Sequence, residues 1–510
     1  MDVQGRSALA FRTVPAPDSP TALDPQTAPA PSATHDPAAR TDRVRWTLFT
    51  ELWGWALLMH LASFDKWPHS LLGWALIGCG SSLVLWPRRT HLLALSALFE
   101  FLFIQQGMPE TANHLLFEGF VCFTWLFTLS MQAGAARRRG VPWRRVWDGD
   151  ENGRHPLQGS LLPLGAGFLL LYWLSVLHKL NYDFIDPDVS CASYMYRRVS
   201  ELLPFLPRAR WAEHVSIWGT LLAEASVPAL LLHRRTWRFG LVAALGFHLL
   251  LGFDPTPGIY SFTGLLYALF ILLLPGTFVD TAGRQLELLR ARFGRSTLLY
   301  VRIAGVVLWS SILVYSSTRD DRWSFGAGFP VYLFWALLVA TAYLVTLFRT
   351  PALESPTPVR TPAWLWVLPA LVLWNGMNPY LGLRTQLAFS MFSNLRTEGG
   401  RSNHLFMPRL ATLEPYQDDL IEIVDSSDPG FRELKQQDLL LPYFEFKHLI
   451  NDNESDELSV TYLHEGKQHK VQCLHRECDD TELATPHSRL RRAFFYFRAV
   501  DKGPKMHCRH

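Results

Sequence analysis

The chain is poor in charge, in cysteine and in the common catalytic signatures. Asp, Glu, Lys and Arg make up 18% of its 510 residues, against about one quarter in soluble domains. That excludes a wholly soluble protein and a disordered chain. A formal net charge of +3 implies no polyanion partner, so no nucleic acid is expected. Six Cys exclude a disulfide scaffold. There is no P-loop, dinucleotide fingerprint or serine-hydrolase elbow. No early Lys/Arg block precedes an apolar core, so no cleavable signal peptide is expected. Apolar residues are abundant instead: 49% hydrophobic, with 33 Phe and 19 Trp. Mean hydropathy is nevertheless only +0.08, so a polar minority dilutes a very apolar majority.

The chain divides into three zones. Residues 1–45 are rich in Pro, Ala and Thr and are expected to be a disordered cytoplasmic segment. Residues 46–383 carry recurrent apolar runs, and a bilayer needs ~20 residues per helix. Spans are expected near 46–64, 70–87, 91–108, 113–133, 158–179, 213–233, 237–254, 260–279, 297–316, 328–348 and 363–382, eleven in all. Arginines concentrate before the first span (Arg40, Arg43, Arg45) and in even-numbered loops, as at Arg137–Arg139, Arg144, Arg145, Arg234, Arg235, Arg349 and Arg360. Even loops and the N-terminus are therefore expected in the cytoplasm, and odd loops and the tail outside. Residues 384–510 are mixed, with strand-like runs at 419–425, 457–474 and 492–500. The middle run reads as a hairpin turning at Glu465–Gly466. The fold expected is an all-α polytopic transmembrane bundle with a small C-terminal α+β or β-rich domain on the outer face.

Ionisable residues at membrane depth are costly and usually mark function. They are Glu51, His60, Glu100, Glu110, His114, Glu118, His178, Lys179, Glu224 and His248. Each also has a structural reading: Glu51 reaches water near a span end, His60 is a satisfied core histidine, and Glu100 bonds within the bundle. Two clusters stand out. Spacing of four puts Glu110, His114 and Glu118 on one helical face, either as an oriented imidazole or as a buried packing network. In LSVLHKLNYDFIDPDVSCA, an apolar helix runs into His178–Lys179 and then into Asn181, Asp183, Asp186 and Asp188. Desolvation disfavours an ammonium group, and a neutral amine can act as a general base. Nearby carboxylates oppose that, and a snorkelling interfacial Lys is the structural alternative.

The run HKLNYDFIDPDVSCA resembles the HTTM family, which includes the vitamin K-dependent γ-glutamyl carboxylases. Asn113–His114, the basic loop ARRRGVPWRR, LLAEASVPALLL with Glu224, GFHLLLGFD with His248, and WNGMNPYLGLRTQLAFSMFSNLRTEGGRSNHLFM extend the likeness over roughly residues 46–410. The resemblance implies Lys179 as the catalytic base, with His114 assisting. It implies His178, Asn113, His248 and Glu224 around a lipid-soluble quinol, reduced vitamin K or another. Asn378, Tyr380 and His404 fall to a glutamyl substrate. Quinol oxygenation by O2 would drive carboxylation of a secreted peptide or protein by CO2. The alternative is a non-enzymatic protein on the same scaffold that assists maturation, export or immunity of a secreted peptide. A transporter ranks third, because the two halves show no matching interrupted spans. The Arg-heavy loops and the resemblance suggest a bacterial inner membrane. No metal is expected: Cys473, Cys478, His475, His507, Cys508 and His510 fit no zinc spacing well. Disulfides among Cys473, Cys478 and Cys508, with Cys191 able to join, are at least as compatible with an exported domain. Cys79 and Cys122 lie within spans and read as packing residues.

Overall fold

A computed structural model describes residues 37–63, 70–142, 147, 155–253, 259–316, 322–351, 361–475 and 477–509. Residues 1–36, Arg144, Arg145, Arg360 and His510 lie outside the described residues. Every expected span interval is occupied by a helix. These are α1 (Pro37–Ser63), α2 (Leu71–Leu85), α3 (Thr90–Gly107), α4 (Asn113–Arg138), α5 (Leu161–Lys179), α6 (Tyr182–Ile185), α7 (Cys191–Leu202), α8 (Arg210–Leu232), α9 (Trp237–Leu251), α10 (Ile259–Leu273), α11 (Gly276–Phe293), α12 (Arg295–Ser316), α13 (Arg322–Arg349) and α14 (Val367–Leu381), of which α6 and α7 lie outside the expected spans and α11 begins inside the one at 260–279. Five helical stretches among the described residues are long and apolar enough to cross a bilayer: 113–138, 158–179, 210–232, 295–315 and 328–349.

Several expectations are corrected. First, α1 begins at Pro37, so residues 37–45 are helical. Arg45 is buried, and its Nη1 donates to the carbonyls of Ile271 at 2.8 Å and Leu274 at 2.6 Å, satisfying the end of α10. Second, the span expected at 260–279 breaks. Pro275 cannot donate into a continuing helix, and α10 and α11 meet at a 111° bend. Third, α4 starts at Asn113, leaving Glu110 outside the helix, exposed and 3.9 Å from Arg492. Glu110, His114 and Glu118 therefore do not share a helical face.

Glycines allow close helix approach. A Cβ on Gly54 of α1 would stand 2.7 Å from the Gly80 carbonyl of α2, and one on Gly80 would stand 3.0 Å from the Gly54 carbonyl. Glu51 does not simply reach water. Its carboxylate takes two bonds from Arg302 of α12, at 2.8 and 2.5 Å.

The tail forms a six-stranded sheet in the order β5-β4-β3-β1-β2-β6, where β1 is Leu420–Ser426, β2 Leu439–Pro442, β3 Glu457–His464, β4 Lys467–Leu474, β5 Glu477–Cys478 and β6 Val500–Asp501. All its pairings are antiparallel. The expected hairpin is β3–β4. Its turn residues Glu465 and Gly466 have φ of 51° and 74°, as a tight two-residue turn requires. The strand expected at 492–500 is not formed: its first three residues end the helix Arg489–Phe494, residues 495–499 are irregular, and only Val500–Asp501 join the sheet. Helices Pro429–Gln436 and Tyr443–Asp452 bury Phe431 and Phe446 against Ile421, Ile423, Val460 and Tyr462. Disulfides join Cys191 to Cys508 and Cys473 to Cys478, while Cys79 and Cys122 are free and buried. The first disulfide fastens the tail to the end of the bundle where α5 stops.

Candidate functional site

The helical repeat sets Tyr172, Ser175 and Lys179 on one face of α5. Lys179 is 3% exposed. Its Nζ donates to Ser175 Oγ at 2.6 Å and to Glu224 Oε1 at 3.1 Å, and lies 2.9 Å from Glu224 Oε2. Ser175 Oγ in turn donates to Glu224 Oε2 at 3.2 Å. Tyr172 Oη bonds His248 Nε2 on α9. The structure thus brings together three residues singled out in the sequence, Lys179, Glu224 and His248. Two further residues take part: Ser175 bridges Lys179 and Glu224, and Tyr172, on the same face of α5, bonds His248. Their signal was available: they sit four and seven residues before Lys179 on its own helical face.

The far end of this strip is apolar. The His248 ring packs against Phe247, Phe262 and Phe270 at 5.2, 5.3 and 6.4 Å between centroids. Its Nδ1 is buried and has no hydrogen-bond partner among the described residues. His114 reaches the same place from α4: its Nε2 lies 3.0 Å from Ser261 Oγ and its ring 5.4 Å from Phe262. Both imidazoles therefore pack against Phe262.

His178 and Asn113 are occupied otherwise. The His178 ring is fully buried, with Nε2 2.9 Å from the Gly376 carbonyl and Nδ1 3.1 Å from that of Phe389. A neutral ring can donate to only one of these, and donation to both needs a second ring proton. Asn113 Oδ1 accepts the Phe389 amide at 2.7 Å. The Phe389 backbone is consequently held by α4 at its amide and by α5 at its carbonyl. The segment holding it is unusual: Leu387, Phe389, Phe392 and Asn394 all have φ between 48° and 57°. That is costly for side-chain-bearing residues and occurs where surrounding contacts over-determine the backbone.

Tyr380 links His178 to His404, with centroid separations of 5.7 and 5.8 Å. His404 Nε2 lies 2.9 Å from the Leu177 carbonyl, and burial pushes its imidazole below the ordinary range. Asn378 Nδ2 reaches Asn375 Oδ1 at 3.5 Å. Tyr380 Oη and Asn378 Oδ1 are buried without a hydrogen-bond partner among the described residues. Asn181 closes this end. Its Oδ1 caps the Phe184 amide at 2.8 Å, and its Nδ2 donates to the carbonyls of His178 at 2.8 Å and Ser393 at 2.6 Å. Asp183 Oδ2 accepts from Asn403 Nδ2 at 2.6 Å and from the Met506 amide at 3.1 Å. The Lys–Leu–Asn–x–Asp run thus presents one amine to the bundle and uses its polar partners to clasp the tail.

Between bundle and tail lies a cavity of about 510 Å³, lined among others by Glu110, Arg198, Glu445, His448, Arg492 and Arg498. Burial pushes the Glu445 carboxyl up to about 8, although it accepts the Phe497 amide at 2.8 Å. Burial, together with Arg492, pushes His448 down to about 4. Both positive and neutral hydrogen-bonding groups therefore face this space near neutral pH. Comparison with family models, curated proteins and solved structures finds no match to the chain.

Proposed function

We propose that the protein is an integral membrane enzyme of the γ-glutamyl carboxylase type, which couples quinol oxygenation to carboxylation of glutamyl side chains. The single observation that carries this is a lysine amine 3% exposed, touching only a serine hydroxyl and one carboxylate among its hydrogen-bond partners, on a strip ending at an unpartnered imidazole nitrogen. Lys179 Nζ can pass a proton to Glu224 across 2.9 Å and is then able to take another. Ser175, donating to Glu224 and accepting from Lys179, keeps the pair aligned while the proton moves. His248 Nδ1, walled by phenylalanines, suits an oxygen of an apolar ring compound, so the residues present fit a quinol. When bound, the quinol supplies the oxygen-driven base strength that glutamyl deprotonation requires. The dry aromatic surroundings protect such a base from water. Asn378 and Tyr380, with buried polar atoms still unpartnered, and His404 beside them would receive a glutamyl side chain. The polar cavity under the tail offers a path for its peptide.

In this reading all eleven helical intervals cross or enter the membrane. The N-terminus is cytoplasmic, and the disulfide-bearing tail is on the outer face of a bacterial inner membrane, where disulfides persist. Reporter fusions at residues 140, 190 and 450 test this; a cytoplasmic signal at 190 or 450 rejects it. The chemical test is incubation of purified protein with reduced vitamin K under oxygen, with and without a glutamate-containing peptide. Quinone epoxide from the native chain and none from Lys179→Met supports the reading. One observation favours a second: Lys179, Ser175 and Glu224 satisfy one another, as a purely structural cross-link would. A non-enzymatic maturation, export or immunity protein would keep its cellular role in Lys179→Met.

A further inference from the structure

A second polar cluster lies outside the lysine strip. His60 of α1, Glu100 of α3 and Glu118 of α4 are 3%, 0% and 3% exposed. His60 Nδ1 stands 3.1 Å from Glu100 Oε1 and 4.0 Å from Glu118 Oε2. One ligand atom from each residue lies within 4.8 Å of the others. We propose that His60, Glu100 and Glu118 bind a divalent first-row transition-metal ion inside the bundle.

Geometry is the first argument. Ligand atoms about 2.1 Å from a shared ion stand roughly 3.0–4.2 Å apart, depending on the coordination polyhedron. The observed spacings fall in or just beside that range without rearrangement of helices. Alignment is the second. Neither carboxylate oxygen of Glu100 makes a hydrogen bond among the described residues, although Oε1 approaches the imidazole to 3.1 Å. A shared ion would occupy the lone pairs that this close contact leaves without a hydrogen bond. Charge is the third. Two carboxylates face one another and an imidazole in a medium that penalises each unpaired buried charge by several kcal/mol. A divalent cation makes the assembly neutral. One imidazole and two carboxylates form a borderline-to-hard donor set, suited to zinc, iron(II) or manganese(II). It is too nitrogen-rich for a calcium site and lacks the thiolates that select copper(I). Three protein ligands leave at least one coordination position open. The inference is independent of the quinol reading, and it revises the sequence expectation of no metal.

The test uses the full chain purified in detergent without a histidine tag. It is loaded separately with Zn²⁺, Mn²⁺ and Fe²⁺, desalted, and assayed by elemental analysis and thermal unfolding. The expected result is about one ion per chain with a raised melting temperature. The ion should be lost in Glu100→Gln/Glu118→Gln and kept in Lys179→Met. Zinc X-ray absorption should show a nitrogen/oxygen shell near ~2.0–2.1 Å and no sulfur near ~2.3 Å. Native protein that melts cooperatively yet retains none of the three ions overturns the proposal, because the carboxylates then hold protons. Retention undiminished in the double variant, or a sulfur shell, also overturns it, by placing the ion on the tail histidines or on cysteines.

Discussion

Replacing Lys179 by methionine keeps most of its volume and removes its charge, leaving Glu224 and Ser175 without their donor. The two charged side chains are 4% and 11% exposed, so water cannot replace the amine. Removing one partner of a buried ion pair costs about 3–5 kcal/mol, whereas exchanging both for apolar residues is often close to neutral. Lys179→Met and Glu224→Leu should each lower stability by about that amount, and the double variant should recover most of it, a coupling of at least about 5 kcal/mol. Ser175→Ala, which loses two hydrogen bonds, should cost about 1–3 kcal/mol. The assay is equilibrium unfolding in mixed detergent, followed by the fluorescence of the 19 Trp. If Lys179→Met alone changes stability by less than about 0.5 kcal/mol, as typical for an exposed site, the amine is solvated and the argument from burial fails. The double variant also separates two roles, since it should fold like the native protein and still lack any activity that needs the amine.

Glu445 makes stability depend on pH. Its carboxyl, ordinarily near 4.5, stands at about 8 in the folded tail. The folded state therefore binds this proton more tightly than the unfolded one. The stabilisation is complete below about pH 4.5 and is lost as the pH rises toward and past 8. Glu445→Gln should flatten that loss, with a ceiling on the order of 5 kcal/mol, in denaturation series from pH 4 to 9; an unchanged slope refutes it. The Cys191–Cys508 disulfide closes a separation of 317 residues, and Cys508→Ser should cost at most about 6 kcal/mol by loop entropy. It should also increase protease release of the tail. Gly376→Ala would put a Cβ 2.4 Å from Leu174 Cδ1 and move the carbonyl that faces His178. A loss of about 1–3 kcal/mol is expected, and a neutral result would show that α5 and α14 can separate freely.

Helix positions were legible because apolar run length is a strong local signal, and each expected interval holds a helix. The break at Pro275 and the early start of α1 were not read correctly. The first depends on one proline within an otherwise continuous run, and the second on Arg45 finding buried carbonyls more than 200 residues away. Lys179, Glu224 and His248 were marked as costly charges at depth, and the structure gathers them on one strip. Ser175 and Tyr172 were readable by helical spacing but carry no charge to attract notice. Phe389 and Gly376 act through their backbone, which no side-chain pattern reveals. Glu110 was misplaced because a four-residue spacing presupposes a helix, and the helix begins only at Asn113. The strand expected at 492–500 failed for a related reason. RAFFYF has strand-like composition, but Ser488 caps a helical turn by accepting the Arg491 amide at 3.3 Å.

The most direct measurement is quinone epoxide formation by purified protein given reduced vitamin K and oxygen, compared with the folded Lys179→Met/Glu224→Leu variant. The expected result is epoxide from the native chain and none above background from the variant. Equal epoxide from both, or none from native protein that unfolds cooperatively, would contradict it.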